Sequence, residues 1–399
     1  MWKSNITVTE VKEIRGRSTI YLGAGAITKI VDIADELKNR GITRVLLVTG
    51  KGSYQKSGAW GQIQPALQSN NIAYALYDQV TPNPNVDQVD EAARLALDFG
   101  AQAVIAVGGG SAIDTGKSAA ILLSYPEKNA RDIFEFKFTP EKAAPIIVVN
   151  LTHGTGSEAD RMAVVSIPEK NYKPAIAYDC IYPLYSIDDP ALMVNLPSDQ
   201  TCYVSVDAVN HAIEAATTIL ASPYSILLSK ETVLLVAKYL PQALANSEDL
   251  TARYYLTYAS LIAGISFDNS LLHITHALEH PLSAVKTDLA HGLGLGILLP
   301  AIINHIYPGA GGSLAYVLSP IVPDLTGAPS EADKAARGME MWLKSVGITE
   351  KLSNIGFQEE QLPILTDLVY DTPGLAQLLS LAPVDTNKDT VISIYRESF

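Results

Sequence analysis

Up to about residue 190 the apolar positions come in short β-branched runs separated by stretches of helical spacing. "STIYLG" precedes "AITKIVDIADELKNR", and "RVLLVTG" precedes "AWGQIQPALQSN". "IAYALYD" leads through "TPNPNVDQVDEAARLALDFG" to "AVIAVGGG", which feeds "SAIDTGKSAAILLS". "APIIVVNLT" follows, then a strand-rich stretch made of "MAVVSI", "PAIAYD" and "LYSID". Strands alternating with helices predict a parallel sheet covered by helices on both faces. After "DDPALMVNLP" the period changes. "TCYVSVDAVNHAIEAATTIL", "SILLSKETVLLVAKYLPQALAN" and "ARYYLTYASLIAGISFDNSLLHITHALEH" carry apolar residues at helical spacing, and no convincing strand follows. The pattern predicts an α/β domain over 1–193 and an all-helical domain over 194–399, with Pro190 and Pro197 at the join.

Composition narrows the function. A chain of 399 residues, 48% hydrophobic and 18% charged, is long enough for two packed domains. Its net charge of -13, without a Lys/Arg cluster, argues against nucleic acid as a partner. Cys180 and Cys202 make no disulfide framework and no CxxC pair, which fits a reducing, cytoplasmic compartment. "MWKSNITVTEVKE" lacks the apolar core of a signal peptide. "GLGLGILLPAII" reads as too short to span a bilayer, so no membrane association is expected.

Two glycine-rich turns compete as phosphate cradles. "GAGAIT" over 23–28 has Thr28 where a third glycine belongs, so a plain strand–helix turn is the better reading. "VGGGSAIDTGKSA" is stronger. Gly108, Gly109 and Gly110 end an apolar strand, and Ser111 is placed to cap the next helix. Glycines let the backbone approach a pyrophosphate, whose charge free N–H groups and the helix dipole favour. Asp114 in the same stretch is a further candidate cofactor contact. The spacing from Gly110 to Gly116 excludes a Walker loop and puts Lys117 a turn inside the helix. In "NLTHGTGSEAD", Thr152, Thr155 and Ser157 are placed either to meet a cofactor at the strand ends or to cap a following helix.

The histidines are unevenly spread, four of the seven lying in "HITHALEHPLSAVKTDLAHG". "VDAVNHAIEA" puts Asp207 and His211 four apart on one helical face, and Val204, Val206, Val209 and Ile213 make that helix otherwise apolar. A carboxylate or imidazole buried there needs a partner. His273, His276 and His280 read as one further helical face, with His291 across a loop. Asp plus imidazoles suits Fe2+ or Zn2+ and not Mg2+ or Ca2+. Spacing alone does not choose which histidines complete the set.

Taken together, "STIYLGAGAITKI", "GGGSAIDTGKSAA", "THGTGSEAD", "DAVNHAIEA", "HALEHPLSA", "HGLGLGILLP" and "TVISIYRESF" resemble the iron-containing (group III) alcohol dehydrogenases over nearly the whole chain. The resemblance implies a Rossmann-like dinucleotide-binding α/β domain, a helical metal-binding domain, and a site in the cleft between them. It implies Asp207, His211, His276 and His291 as metal ligands, and His280 beside the nicotinamide as a catalytic proton-relay residue. Lys173 falls where the family places a lysine near the cofactor. His273 and His305 have no counterpart role, which leaves packing or exposure for them. The implied reaction is NAD(P)-dependent oxidation of a small alcohol, or reduction of an aldehyde, at a divalent metal with an open position. Apolar and aromatic residues near the site suggest a short- to medium-chain primary alcohol. The family also implies a homodimer or larger homo-oligomer.

The chain departs from the family pattern at three places. Ten residues, where many members have nine, separate His280 from His291. His153 stands where alanine is usual, and either narrows the nicotinamide pocket or points away. Gly50 replaces the Asp that binds the ribose 2′-OH in NAD-specific members, and Lys51 could pair with a 2′-phosphate; NADP(H) is therefore expected over NAD(H), with NAD(H) still possible. A glycerol dehydrogenase or a dehydroquinate synthase-like lyase could share the fold, but such a lyase needs several basic residues, and the sequence puts only Lys286 near the metal. A non-catalytic metal- or nucleotide-binding protein would lack alcohol-dependent turnover altogether.

Overall fold

The structure, a computed structural model, describes residues 12–399. Its first half is built on strands β1 (Thr19–Leu22), β2 (Arg44–Gly50), β3 (Ala73–Val80), β4 (Ala103–Gly108), β5 (Ile146–Asn150) and β8 (Tyr185–Asp188), paired in the order β1-β8-β5-β4-β2-β3 and all parallel. Alternate side chains go to opposite faces. Val45, Leu47, Ile105, Val107, Ile147 and Val149 pack with α1 (Ile30–Asn39) and α3 (Trp60–Ser69). Leu46, Val48, Val104, Ala106, Ile146 and Val148 pack with α4 (Val86–Phe99) and α5 (Gly110–Ser124). Both faces are covered, so the central strands read as unbroken apolar runs. Between β4 and β5 lies the short α6 (Ala130–Phe134), and the short α2 (Ser53–Lys56) follows β2.

The strand order reverses beside β2, because β3 lies on one side of it and β4 on the other. Crevices at such a switch point, outside the carboxyl ends of the strands, are where open α/β sheets take ligands. Gly50 and Gly108 end the two strands there. Of the strand-rich stretch after β5, only "LYSID" joins the sheet. β6 (Met162–Val164) and β7 (Ala175–Ala177) make a separate antiparallel pair.

Among the described residues no strand follows β8. The second half comprises α7 (Ser198–Thr217), α8 (Pro223–Ala245), α9 (Leu250–Asp268), α10 (Ile274–Val285), α11 (His291–Leu318), α12 (Ala332–Ser345), α13 (Leu362–Asp371), α14 (Leu375–Leu379) and α15 (Lys388–Glu397), packed around one apolar core. This is the expected fold class: a Rossmann-like parallel sheet followed by a helical domain.

Two expectations fail in instructive ways. The pattern through "ARYYLTYASLIAGISFDNSLLHITHALEH" is continuous, but the helix breaks after Asp268, and Leu271 takes a left-handed φ of 65°. α10 restarts there because a carboxylate from another helix caps it: Glu214 Oε1 accepts the N–H groups of His273 (3.0 Å) and Thr275 (2.8 Å). That cap is tertiary and leaves no local signal. "GLGLGILLPAII" belongs to a helix of 28 residues, long and apolar enough to cross a membrane. It lies instead in the middle of the helical core, with Leu295, Leu298, Leu299 and Ile302 buried, and Ala310 (φ −129°) kinks it just after Pro308.

Candidate metal and dinucleotide site

β4 delivers the glycine turn to the crevice. No side chain caps α5: its N-cap is Gly109, and Ser111 lies inside the first turn instead of capping it as the sequence suggests. The free N–H groups at the start of α5 are thereby left facing the crevice, the arrangement that binds phosphate. The glycines are there for closeness. A Cβ on Gly109 would stand 2.7 Å from Thr152 Cγ2, and one on Gly110 2.6 Å from Thr155 Cγ2. Gly50, Gly108, Gly109, Gly110, Ser111, Thr152 and Thr155 line one cavity of about 1110 Å³, together with Asp207 and His291. Lys51 follows Gly50, is exposed, and is not among the residues that line this cavity.

The loop after β5 caps no helix, contrary to one of its two readings; it runs on into β6. Ser157 Oγ donates to Asp114 Oδ1 (2.7 Å) and accepts from Lys117 Nζ (3.0 Å), while Asp114 Oδ2 accepts the N–H of Val164 (2.9 Å). Asp114 and Ser157 thus line the inner pocket with their polar atoms already engaged by the protein. Lys117 is fully buried in an ion pair with Asp160 (2.8 Å), deep in the helix as its spacing requires. "GAGAIT" lies apart, packed by a hydrogen bond from the Ile27 N–H to Asp189 Oδ2 (3.0 Å), and is a plain turn.

The helical half supplies the second wall. On α7, Asp207 and His211 share one face, and His211 Nε2 stands 3.5 Å from Asp207 Oδ1. α10 brings His276 Nε2 to 3.6 Å from the same oxygen, and the first residue of α11 brings His291 Nε2 to 4.0 Å. Donor atoms of Asp207, His276 and His291 lie within 4.8 Å of one another. Asp207 Oδ1 and His276 Nε2 are buried without a hydrogen-bond partner. Orphaned buried atoms of this kind are costly unless something satisfies them. The His211, His276 and His291 Nε2 atoms all stand within 4.0 Å of Asp207 Oδ1, a carboxylate-and-imidazole set that fits a divalent cation of the Fe2+ or Zn2+ type.

Each imidazole is oriented from behind. His276 Nδ1 bonds Glu214 Oε2, and His291 Nδ1 bonds Glu279 Oε2. His211 Nδ1 donates to the Gly154 carbonyl (3.3 Å), and His280 Nδ1 to the Lys173 carbonyl (2.8 Å). Acceptors on every Nδ1 fix the tautomer and turn Nε2 inward. Charge agrees with geometry. Burial alone would raise Asp207, but the His211, His276 and His291 imidazoles outweigh it and hold the carboxyl well below its usual range. Burial opposes protonation of His276, yet Glu214 and Asp207 push it up to about 9.

His273 is the N-cap of α10 and does not share the face of His276 and His280. Its Nε2 meets Thr217 Oγ1 (2.9 Å), and it is buried. His305 faces Thr386 Oγ1 (3.3 Å), away from the site. His153 lines neither cavity and points into a buried polar knot: its Nε2 accepts from Arg253 Nη1 (3.0 Å) and its Nδ1 faces Ser205 Oγ (3.3 Å). Lys286 is half-buried and pairs with Asp288 (3.2 Å), so the base named from sequence lines neither cavity. Lys173 is the lysine that lines the inner pocket.

That pocket, about 930 Å³, runs from Asp207, His211, His276, His280 and His291 to an apolar end formed by Met162, Val164, Phe267, Leu271, Leu272 and Leu378. Sequence reasoning missed Glu214, Glu279 and Arg253. All three are charges set in otherwise apolar helical stretches, which is itself the signal that they have buried partners.

Comparison with known proteins agrees with this arrangement. The family model described as iron-containing alcohol dehydrogenase matches residues 18–190, and the C-terminal model of the Fe-containing alcohol dehydrogenase family matches residues 201–399. The chain belongs to the iron-containing alcohol dehydrogenase family, and it is an oxidoreductase. It is 59% identical over 399 residues, 100% of each chain, to the long-chain primary alcohol dehydrogenase AdhA of Thermoanaerobacter ethanolicus. It is 28% identical over 385 residues to alcohol dehydrogenase 4 of Saccharomyces cerevisiae strain S288c, covering 95% of this chain and 96% of that one. Among solved structures, the NADH-dependent butanol dehydrogenase A of Thermotoga maritima superposes with a TM-score of 0.89 at 29% identity, covering 98% of both chains. Family membership implies a metal and a nicotinamide dinucleotide.

Proposed function

We propose that this chain interconverts a primary alcohol bearing an apolar chain and its aldehyde, with NADP(H) preferred, at Fe2+ or Zn2+ held by Asp207, His211, His276 and His291. The observation that carries the reading is the convergence of three imidazole Nε2 atoms on the unpartnered Asp207 Oδ1, where the apolar pocket meets the glycine-lined cleft. When bound, the metal supplies Lewis acidity toward the alcohol or carbonyl oxygen, and the nicotinamide supplies the hydride acceptor or donor. The residues do the rest. The N-terminus of α5 takes the pyrophosphate, and the Thr152–Thr155 loop closes over it. His280 gives its Nδ1 proton to the Lys173 carbonyl and is held neutral by burial and by the nearby Lys173 ammonium, so that its role would be to relay a proton through Nε2 without storing it. Phe267, Leu271, Leu272 and Leu378 exclude water and hold an alkyl chain. The 59% identity to a long-chain primary alcohol dehydrogenase supports such a substrate.

Cofactor choice follows from Gly50, which offers no carboxylate to repel a 2′-phosphate. A Cβ there would stand 3.2 Å from the Val80 carbonyl oxygen, so a side chain requires the end of β3 to give by a few tenths of an ångström. Steady-state kinetics on a series of 1-alkanols should give a higher kcat/KM with NADP+ than with NAD+. Gly50→Asp should move the ratio toward NAD+ by at least about tenfold, since it adds both repulsion and a ribose acceptor. A wild-type enzyme strongly preferring NAD+ contradicts the NADP(H) assignment, and one inert toward every alcohol and aldehyde contradicts the reaction.

A further inference from the structure

The ten residues between His280 and His291 must deliver the last imidazole to the metal cluster from a loop, and His291 is the most exposed member, at 25% against 4% for Asp207. What holds that loop comes from the other half of the molecule. Asn83 lies just beyond β3, between Pro82 and Pro84, in the left-handed region (φ 49°) that Asn tolerates better than most residues. Its position is anchored on the far side: the Pro84 carbonyl accepts the Ser166 N–H (2.8 Å), and Asn85 caps α4. Asn83 Nδ2 donates to two carbonyls of the loop, Thr287 (2.9 Å) and Leu289 (3.0 Å). Its Oδ1 accepts from Lys173 Nζ (2.9 Å). The orientation is set by chemistry, because a flipped amide would put oxygen against two carbonyls and NH2 against an ammonium.

Lys173 carries the link onward. Its ammonium donates to Ser283 Oγ (2.8 Å) on α10 and lies 3.7 Å from Glu279 Oε2, the oxygen that holds His291 Nδ1. His291 is therefore fixed twice across the cleft. Asn83 sets the backbone of its loop, and Lys173 steadies the carboxylate that orients its ring.

We propose that Asn83 is a positioning residue for His291, so that the α/β half completes the metal centre of the helical half. This rests on the metal ligand set proposed above, and the test separates the two. Metal affinity is measured with Zn2+ by chelator competition on the full chain, with no turnover needed. Asn83→Asp keeps the left-handed backbone and an acceptor for Lys173 but removes both donors to the loop. It should weaken Zn2+ binding 10- to 100-fold, the range for residues that orient ligands. In a His291→Ala background the same change should alter affinity less than about twofold, because Asn83 then has no ligand to act through. Asn83→Gly, which keeps the backbone conformation without a side chain, should repeat both results and carries the test if the Asp variant does not fold. Wild-type affinity in the Asn83 variants overturns the proposal, and so does a loss that persists undiminished in the His291→Ala background. Failure of the wild-type chain itself to bind Zn2+, or binding untouched by His276→Ala, instead overturns the ligand set.

Discussion

Replacing His276 by alanine should strip the divalent metal from the protein and lower kcat/KM for alcohol oxidation by at least about 10³-fold. The estimate follows from the several kcal/mol that a Lewis acid supplies to a developing oxyanion. His276 Nε2, like Asp207 Oδ1, is buried without a protein partner, and Glu214 on its Nδ1 serves to aim it. Its neighbour makes the control. His273→Ala removes an imidazole only three residues away in sequence, but one that faces Thr217 and not Asp207. That variant should keep one metal per chain and near-normal kinetics, at some cost in stability from the lost packing. Elemental analysis of both variants alongside their kinetics makes the check. A His276→Ala protein that retains metal and turnover would move the centre away from these residues.

The second large effect concerns folding. Arg253 is fully buried with no carboxylate among its hydrogen-bond partners: Nη1 donates to His153 Nε2 (3.0 Å) and Thr201 Oγ1 (2.8 Å), and Nε to the Ser247 carbonyl (3.0 Å). The knot ties the loop after β5 to α7 and α9. Arg253→Met should cost about 3 kcal/mol, because it leaves several buried polar atoms unpaired at once; urea unfolding at pH 7.5 measures it. Burial, reinforced by the adjacent guanidinium, pushes His153 down to about 3. Its folded pKa lies below the ordinary value of 6.5, so the unfolded chain binds the extra proton between those limits. Stability linked to His153 is thus fully present above about pH 6.5 and is lost as the pH falls toward 3. His153→Gln retains an acceptor for Arg253 but cannot titrate. It should lose less stability than the parent between pH 6.5 and 4.5, and equal losses would argue that His153 is not held neutral.

Much of this molecule can be read along the chain, and the unreadable parts have a common cause. The sheet strands are legible because burial on both faces leaves uninterrupted Val, Ile and Leu. The pairing of Asp207 with His211 is legible because the two share a helical face in an apolar segment, whereas His276 and His291 are singled out by the family resemblance. What the spacing of the histidines misassigns is His273, placed on one face with His276 and His280. Its helix starts later than the pattern suggests, since the cap is Glu214, 59 residues away. The length of α11 is also underestimated: "GLGLGILLPAII" is only part of a helix that runs on past Pro300 and Pro308 and kinks at Ala310. His153 could not be placed from sequence because its partner, Arg253, is 100 residues distant. Local chemistry shows in sequence, and long-range satisfaction of buried charge does not.

If Asp207, His211, His276 and His291 hold a divalent metal, alcohol oxidation must depend on it. The most direct measurement is alcohol-dependent reduction of NADP+ by anaerobically purified protein, before and after exhaustive chelation and after metal return, with metal counted at each stage. The expected result is one ion per chain, loss of turnover with the ion, and recovery with Fe2+ or Zn2+ but not with Mg2+. Full turnover by metal-free protein would contradict it.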